Sequence, residues 1–357
     1  MLRVFGLLGC LFLVAPAWAR DVPRVEDMTY QGWNWVEPGG RTTCSDGSPY
    51  RFFARPGASD KLVIYFNGGG ACWSGETCDP EAKRDYTIYV ATVASKFNQP
   101  GYGGIFDQTR DDNPLRDWSM VVATYCTGDV HVGARRLSYK VGDRRFHIEH
   151  KGAANAKAVL DWTFRNFRKP KNVLVTGSSA GGIGAAFFAG TVAQNYRTAR
   201  VSILSDGAGA YRTPAVVTLL REWGARQTAP AWMRKDRATL NIESFFKANA
   251  RAFPRVRQAQ YNNAVDWEQS AFLQMLGGGP DVETGIRLNL EELRAAAPTF
   301  RSYTAAGKMH TVLGKPEFYT LETAGVPLRK WVDDFVEGRP VSDVDCKVDA
   351  NGCNEAK

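Results

Sequence analysis

The run Val173-Leu-Val-Thr-Gly-Ser-Ser-Ala-Gly-Gly182 sets Gly177-x-Ser179-x-Gly181 between an apolar, branched stretch and a small-residue segment of helical composition. Glycines two residues either side of a serine permit the sharp strand-to-helix turn that lifts a hydroxyl above a sheet, within reach of a general base. Ser179 is therefore the candidate nucleophile. Ser178 could take its place only if the turn were shifted by one residue, and the flanking glycines would then have no role. A hydroxyl activated in this way attacks an acyl carbon, and the oxyanion that forms needs preorganised donors. Asn67-Gly-Gly-Gly70 follows the apolar run Leu62 to Phe66, so the backbone N–H groups of Gly69, Gly70 and Ala180 are the expected oxyanion hole. This glycine run lacks the Lys-Ser/Thr ending and the spacing of nucleotide-binding loops, and a phosphate cradle is not expected.

Enzymes of the α/β-hydrolase type carry their triad in the order Ser, Asp or Glu, His. His131, His147 and His150 precede Ser179, which leaves His310 as the candidate base. It lies in Ala305-Ala-Gly-Lys-Met-His310, a small-residue loop able to bring an imidazole over the nucleophile. Ten carboxylates lie between Ser179 and His310, and Asp206 and Asp266 stand out because each follows a candidate strand. Asp206 comes one strand after the nucleophile, earlier than this fold places its acid. Asp266 comes one strand before His310 and is the expected acid, with Asp206 second or serving to brace the loops near the serine.

The elements that must position these residues follow from periodicity. Short apolar, branched runs at Leu62 to Phe66, Met120 to Thr124, Val173 to Thr176 and Val201 to Leu204 read as buried strands, and Arg257 to Tyr261 and Phe300 to Tyr303 extend the series. Ala153 to Phe167 and Gly182 to Gln194 read as helices between them, the first stopped by Arg168-Lys-Pro170. Alternating strands and helices predict an α/β fold of the α/β-hydrolase type, with a mostly parallel central sheet covered on both faces. Residues 208–255, with Trp223, Trp232, Phe245 and Phe246, break the strand rhythm and are expected to form a helical cap over the sheet's carboxyl edge.

Residues 1–19 run from one positive charge through an apolar stretch to an Ala-x-Ala ending, as a secretory signal peptide does. A secreted or periplasmic protein is expected, with residues 20–357 forming a single domain and no integral membrane segment. Beyond the signal, six cysteines remain, an even number that in an exported chain favours disulfides over metal thiolates. Cys72 with Cys78 and Cys346 with Cys353 could close small loops, leaving Cys44 with Cys126, but six cysteines allow 15 pairings and sequence does not choose among them. Without a Cys-x-x-Cys pair and with only four histidines, no metal site is expected. The net charge of +8 is scattered, with no Lys/Arg block, which argues against nucleic acid and leaves attraction to an acidic polysaccharide or an anionic cell surface as its use. A monomer is expected.

Taken together these segments resemble the pectin acetylesterase family. Cys44-Ser-Asp-Gly-Ser-Pro49 is similar to that family's opening motif, and Asn67-Gly-Gly-Gly-Ala-Cys-Trp73 with Cys78 to its oxyanion loop and small disulfide. Asn113-Pro114 with Trp118, Tyr125-Cys-Thr-Gly-Asp129, and Gly152 with Asn155 follow in the same order, then the nucleophile turn and Asp266-Trp-Glu-Gln269, which resembles the acid motif. The resemblance runs from about residue 40 to about 312 and leaves the tail 338–357 without a counterpart. It implies an esterase with a Ser179, Asp266, His310 triad, a Cys44–Cys126 bridge, and no metal or organic cofactor. O-acetyl groups on a polysaccharide are the substrate expected first. A long acyl chain is the alternative because the cap is aromatic and apolar, and a non-catalytic binding protein on the same fold is the alternative of another class.

Overall fold

Why each run becomes a strand is clearest at its centre. In Leu62-Val-Ile-Tyr-Phe66 every residue is buried, yet successive side chains enter different cores: Leu62, Ile64 and Phe66 on one face, Val63 and Tyr65 on the other. A strand covered on both faces reads as a continuous apolar run, not an alternating one. The computed structural model describes residues 22–83, 86–98, 100, 103–235, 240–348 and 353, so the expected signal peptide lies outside the described residues.

In chain order the strands are β1 (Asn34–Val36), β2 (Phe52–Arg55), β3 (Ala58–Phe66), β4 (Trp118–Ala123), β5 (Arg135–Val141), β6 (Arg144–His150), β7 (Asn172–Ser178), β8 (Arg200–Asp206), β9 (Arg257–Asn263), β10 (Phe300–Ala305), β11 (Glu322–Thr323), β12 (Val326–Pro327) and β13 (Val344–Asp345). Nine of them form one sheet in the order β1-β2-β4-β3-β7-β8-β9-β10-β13. The pairs β1–β2 and β2–β4 are antiparallel, and every pair from β4 to β13 is parallel. This is the expected α/β-hydrolase arrangement, a mixed and mostly parallel sheet. Parallel neighbours require crossovers, and helices supply them. The helices Gly152–Asn166, Ala180–Asn195, Ile242–Ala252 and Val282–Ala296 contribute to the first core, and Leu328–Val336 to the second.

The segment 208–255 divides in two. Ile242–Ala252 packs onto the nucleophile helix, with Phe245 against Phe187 at 5.0 Å between ring centres and the Asn249 Nδ2 donating to the Ala186 carbonyl at 2.7 Å. Its first part, Pro214–Glu222 with the short turns that follow, supplies Leu219, Leu220 and Trp223 to a pocket wall, to which the second helix adds only its first residue, Ile242. Cys44 joins Cys126, Cys72 joins Cys78, and Cys346 joins Cys353. The tail is structural: Val344 and Asp345 extend the sheet beside Tyr303 and Thr304.

Candidate active site

Parallel strands end on one edge of the sheet, and that edge gathers the candidate residues. β7 runs to Ser178, the helix begins at Ala180, and Ser179 stands between them with φ 55° and ψ −125°. A non-glycine residue in that region carries strain of about 1–3 kcal/mol and persists only where its surroundings fix it. Here the Ser179 N–H donates to the Asp206 carbonyl at 2.7 Å, and the Ser179 carbonyl accepts from the Gly182 N–H at 2.8 Å. The glycines are required by crowding: a Cβ on Gly177 would lie 2.4 Å from the Gly181 carbonyl oxygen, and one on Gly181 1.9 Å from that of Phe66. Ser179 is half-buried, whereas Ser178 is buried, accepts from the Tyr65 hydroxyl at 2.8 Å and donates to the Asp206 carboxylate at 2.6 Å. Ser178 is committed to the interior.

The glycine loop lies directly over this turn. A Cβ on Gly68 would stand 3.1 Å from the Ser179 Cβ, and Gly69 and Gly70 both have positive φ, 150° and 69°. Gly70 pairs with Tyr89 in a short antiparallel bridge, through the Gly69 carbonyl accepting from Val90 N–H at 2.8 Å and the Ala71 N–H donating to Ile88 at 3.3 Å. That bridge leaves the Gly70 N–H outside its two bonds. Ala180 opens its helix, where the first backbone N–H groups have no partner within the helix and the dipole favours negative charge.

Asp266 caps the helix Trp267–Met275. Its carboxylate accepts from the Gln269 backbone N–H and from the Gln269 Nε2, each at 2.9 Å, and from His310 Nδ1 at 2.7 Å. The Gln269 Oε1 in turn accepts from the Ala210 N–H at 2.9 Å, so one glutamine ties the acid to the chain leaving β8. Because the carboxylate only accepts, Nδ1 carries the proton, and the neutral imidazole keeps its lone pair on Nε2. Nε2 is buried without a hydrogen-bond partner among the described residues, with the half-exposed Glu268 Oε2 3.5 Å away. Burial lowers the His310 pKa, but the hydrogen bond and charge of Asp266 outweigh it and hold the imidazole above its ordinary value.

Asp206 is also buried, at the end of β8, but meets His310 through backbone. Its carboxylate accepts from the N–H groups of Val312, at 3.1 and 3.2 Å, and Leu313, at 3.0 Å, as well as from Ser178. Burial pushes its pKa up to about 6. The two aspartates thus divide the contacts to the His310 loop, Asp266 on the side chain and Asp206 on the main chain beyond it. Sequence reasoning singled out neither Tyr65 nor Glu268 as part of this site and had Gln269 only as the end of the acid motif; its hydrogen bonds as the partner of a helix cap show what that glutamine does.

Gly70, Ala71, Trp73, Ser179, Ala180, Ile183, Tyr211, Leu219, Leu220, Trp223, Ile242 and Phe272 line a pocket of about 50 Å³ in front of the serine. A Cβ on Gly70 would fall 1.8 Å from the Ile88 carbonyl oxygen and 3.2 Å from Phe272, so its wall can be lined there only by backbone.

A family model described as Pectinacetylesterase matches residues 36–224, a span that includes the glycine loop and Ser179 and stops before Asp266 and His310. Palmitoleoyl-protein carboxylesterase NOTUM of Schmidtea mediterranea is 32% identical over 147 residues, 40% of this chain and 26% of that protein. The human protein of the same name is 30% identical over 158 residues, 43% of this chain and 30% of its own. Pectin acetylesterase 4 of Arabidopsis thaliana is 25% identical over 169 residues, 46% of this chain and 40% of that protein. The chain therefore spans well under half the length of these relatives.

Proposed function

Because this chain belongs to the pectinacetylesterase family, we propose that it is an exported serine carboxylesterase whose first substrate is a short acyl ester, an O-acetyl group on a polysaccharide. The observation that carries the reading is the buried Asp266–His310 pair, whose second nitrogen is left without a hydrogen-bond partner among the described residues. In the proposed reaction the Ser179 Oγ attacks the acyl carbon as His310 Nε2 takes its proton. Asp266 holds the imidazole in the tautomer that can accept and stabilises the imidazolium that forms. The N–H groups of Gly69, Gly70 and Ala180 receive the developing oxyanion. The imidazolium then gives its proton to the departing alcohol, and a water activated by the same nitrogen releases the acid and frees Ser179.

A short acyl group is supported by the family's description and by the likeness to pectin acetylesterase 4. The pocket's apolar walls support the second reading, a longer acyl chain that enters once the Pro214–Glu222 helix shifts. A polyanionic carrier is supported by the groove on the far side of that helix, lined by Arg135, Arg221, Arg226, Arg234 and Lys235. Export is supported by the disulfides, and among the described residues no helix is long and apolar enough to cross a membrane.

Hydrolysis of p-nitrophenyl esters from acetate to palmitate, by the parent and by Ser179→Ala, tests this. Activity highest on acetate and absent from the folded variant is expected. A maximum at long chains would favour the second reading. A folded parent inactive on every ester would leave a non-catalytic binding protein.

A further inference from the structure

The proposed chemistry uses one histidine, yet a second is buried beneath the glycine loop with its own fixed partner. His131 Nε2 lies 2.8 Å from the Asn67 carbonyl oxygen. A carbonyl can only accept, so this nitrogen carries the ring proton. Burial lowers the His131 pKa to about 4, which keeps the ring neutral and this donor in place at neutral pH.

Its surroundings are built for that contact. The imidazole stands edge-on to Phe66 at 5.2 Å and beside Tyr125 at 4.8 Å between ring centres. On the nucleophile helix Gly184 clears its seat: a Cβ there would fall 2.9 Å from the ring Cδ2 and 3.0 Å from the His131 Cβ. Val130 and His131 both have positive φ, 49° and 68°, a conformation that persists only where neighbours hold it. The Val130 N–H donates to the Tyr125 hydroxyl at 2.9 Å, and the His131 N–H donates to the buried Asp129 at 3.2 Å. Asp129 also accepts from Thr127 and from the Gly152 N–H, at 2.6 and 2.7 Å. Two adjacent strained residues, both held in place, aim one N–H at one carbonyl.

That carbonyl belongs to the first peptide of Asn67-Gly-Gly-Gly70. A peptide is planar, so fixing its oxygen fixes the plane from which the loop departs over Ser179. We propose that His131 is a positioning residue: its Nε2–H, bonded to the Asn67 carbonyl, sets the oxyanion amides of Gly69 and Gly70 relative to Ser179. The inference rests on the esterase reading above and goes beyond its triad.

The test compares His131→Leu, which keeps bulk without a donor, with His131→Gln, whose amide can donate to the same oxygen. On p-nitrophenyl acetate the leucine variant should lose about 10- to 100-fold in kcat with KM within about threefold, because the donors matter most to the transition state. Its affinity for an aryl trifluoromethyl ketone, which forms a tetrahedral adduct with the serine, should fall by a similar factor. The glutamine variant should recover most of both. Gly184→Ala, a helix-favouring change that would push the imidazole from its seat, should reproduce the leucine phenotype and decides the matter if His131→Leu does not fold. A folded leucine variant with undiminished kcat, equal losses in leucine and glutamine variants, or a fully active Gly184→Ala where the leucine variant does not fold would overturn the proposal. A parent inactive on all esters takes down the esterase reading and this one with it, whereas an active parent with any of those results removes only this one.

Discussion

Asp206 and Asp266 stand near the ends of neighbouring strands, are equally buried and reach the same loop, yet they hold it in different ways. Asp266 meets the imidazole of His310 itself, and its remaining lone pairs are taken by Gln269. Asp206 meets the backbone two and three residues further on and takes the Ser178 hydroxyl from the other side. In the proposed reaction the first sets the tautomer and charge of the ring that takes the proton. The second couples the strand that ends at Ser178 to the loop that carries His310. The pair teaches that a carboxylate's part in such a site follows from what it accepts from, since residue type, burial and strand position are alike in both.

The largest expected effect separates them directly. Asp266→Asn should lower kcat by about 10⁴-fold with little change in folding, since the ring is then held in the wrong tautomer. If Asp206→Asn is as inactive while Asp266→Asn is not, the two roles are exchanged. Next comes the pH profile. Only neutral His310 accepts the serine proton, and its pKa is raised by Asp266, so kcat/KM should fall by about tenfold per pH unit below a midpoint higher than the ordinary histidine value of about 6.5. A midpoint at or below that value in the parent would break the link to Asp266.

Asp206→Asn should cost activity only several-fold but stability by about 1–3 kcal/mol, because two backbone N–H groups and Ser178 lose a charged acceptor. In a chain of this size that is about 1–2 °C in Tm per kcal/mol, readable by thermal unfolding, and an unchanged Tm would contradict the bracing role. The smallest effect is expected at Ser178→Ala, which removes one donor to Asp206 and should leave kcat within about threefold; a loss as large as that of Ser179→Ala would mean that the turn is shifted by one residue.

What could be read beforehand was whatever is local. The nucleophile turn is ten consecutive residues, and the six buried runs lie within the observed strands to within a residue or two. The expectation of His310 as base came from chain order and the two small-loop cysteine pairs from short separations, whereas Cys44–Cys126, 82 residues apart, was what those pairs left over and what the family resemblance implied. Other parts were written in patterns too weak to read. β2 is four residues long, and the β5–β6 hairpin alternates exposed charge with half-buried side chains, so neither forms an apolar run. β13 is two residues long and gains its meaning only from the register beside β10. Chain order already preferred Asp266 to Asp206; what each carboxylate accepts from needed the third dimension. His131 was passed over because it precedes the serine, and chain order says nothing of a residue that acts through a carbonyl.

The segment around Cys353 gives the site a schedule. The Cys353 carbonyl accepts from the Gly307 N–H at 3.2 Å, within the loop that leads to His310, and Cys353 is bonded to Cys346 beside β13. Synthesis delivers the chain from its amino end, and earlier parts organise first. The nucleophile turn and glycine loop can therefore form while the base loop still lacks this outer anchor. The anchor arrives more than forty residues after His310, and it is covalently clasped only where thiols are oxidised. On this order of events the loop that carries His310 receives its outer clasp last, and only where its thiols are oxidised.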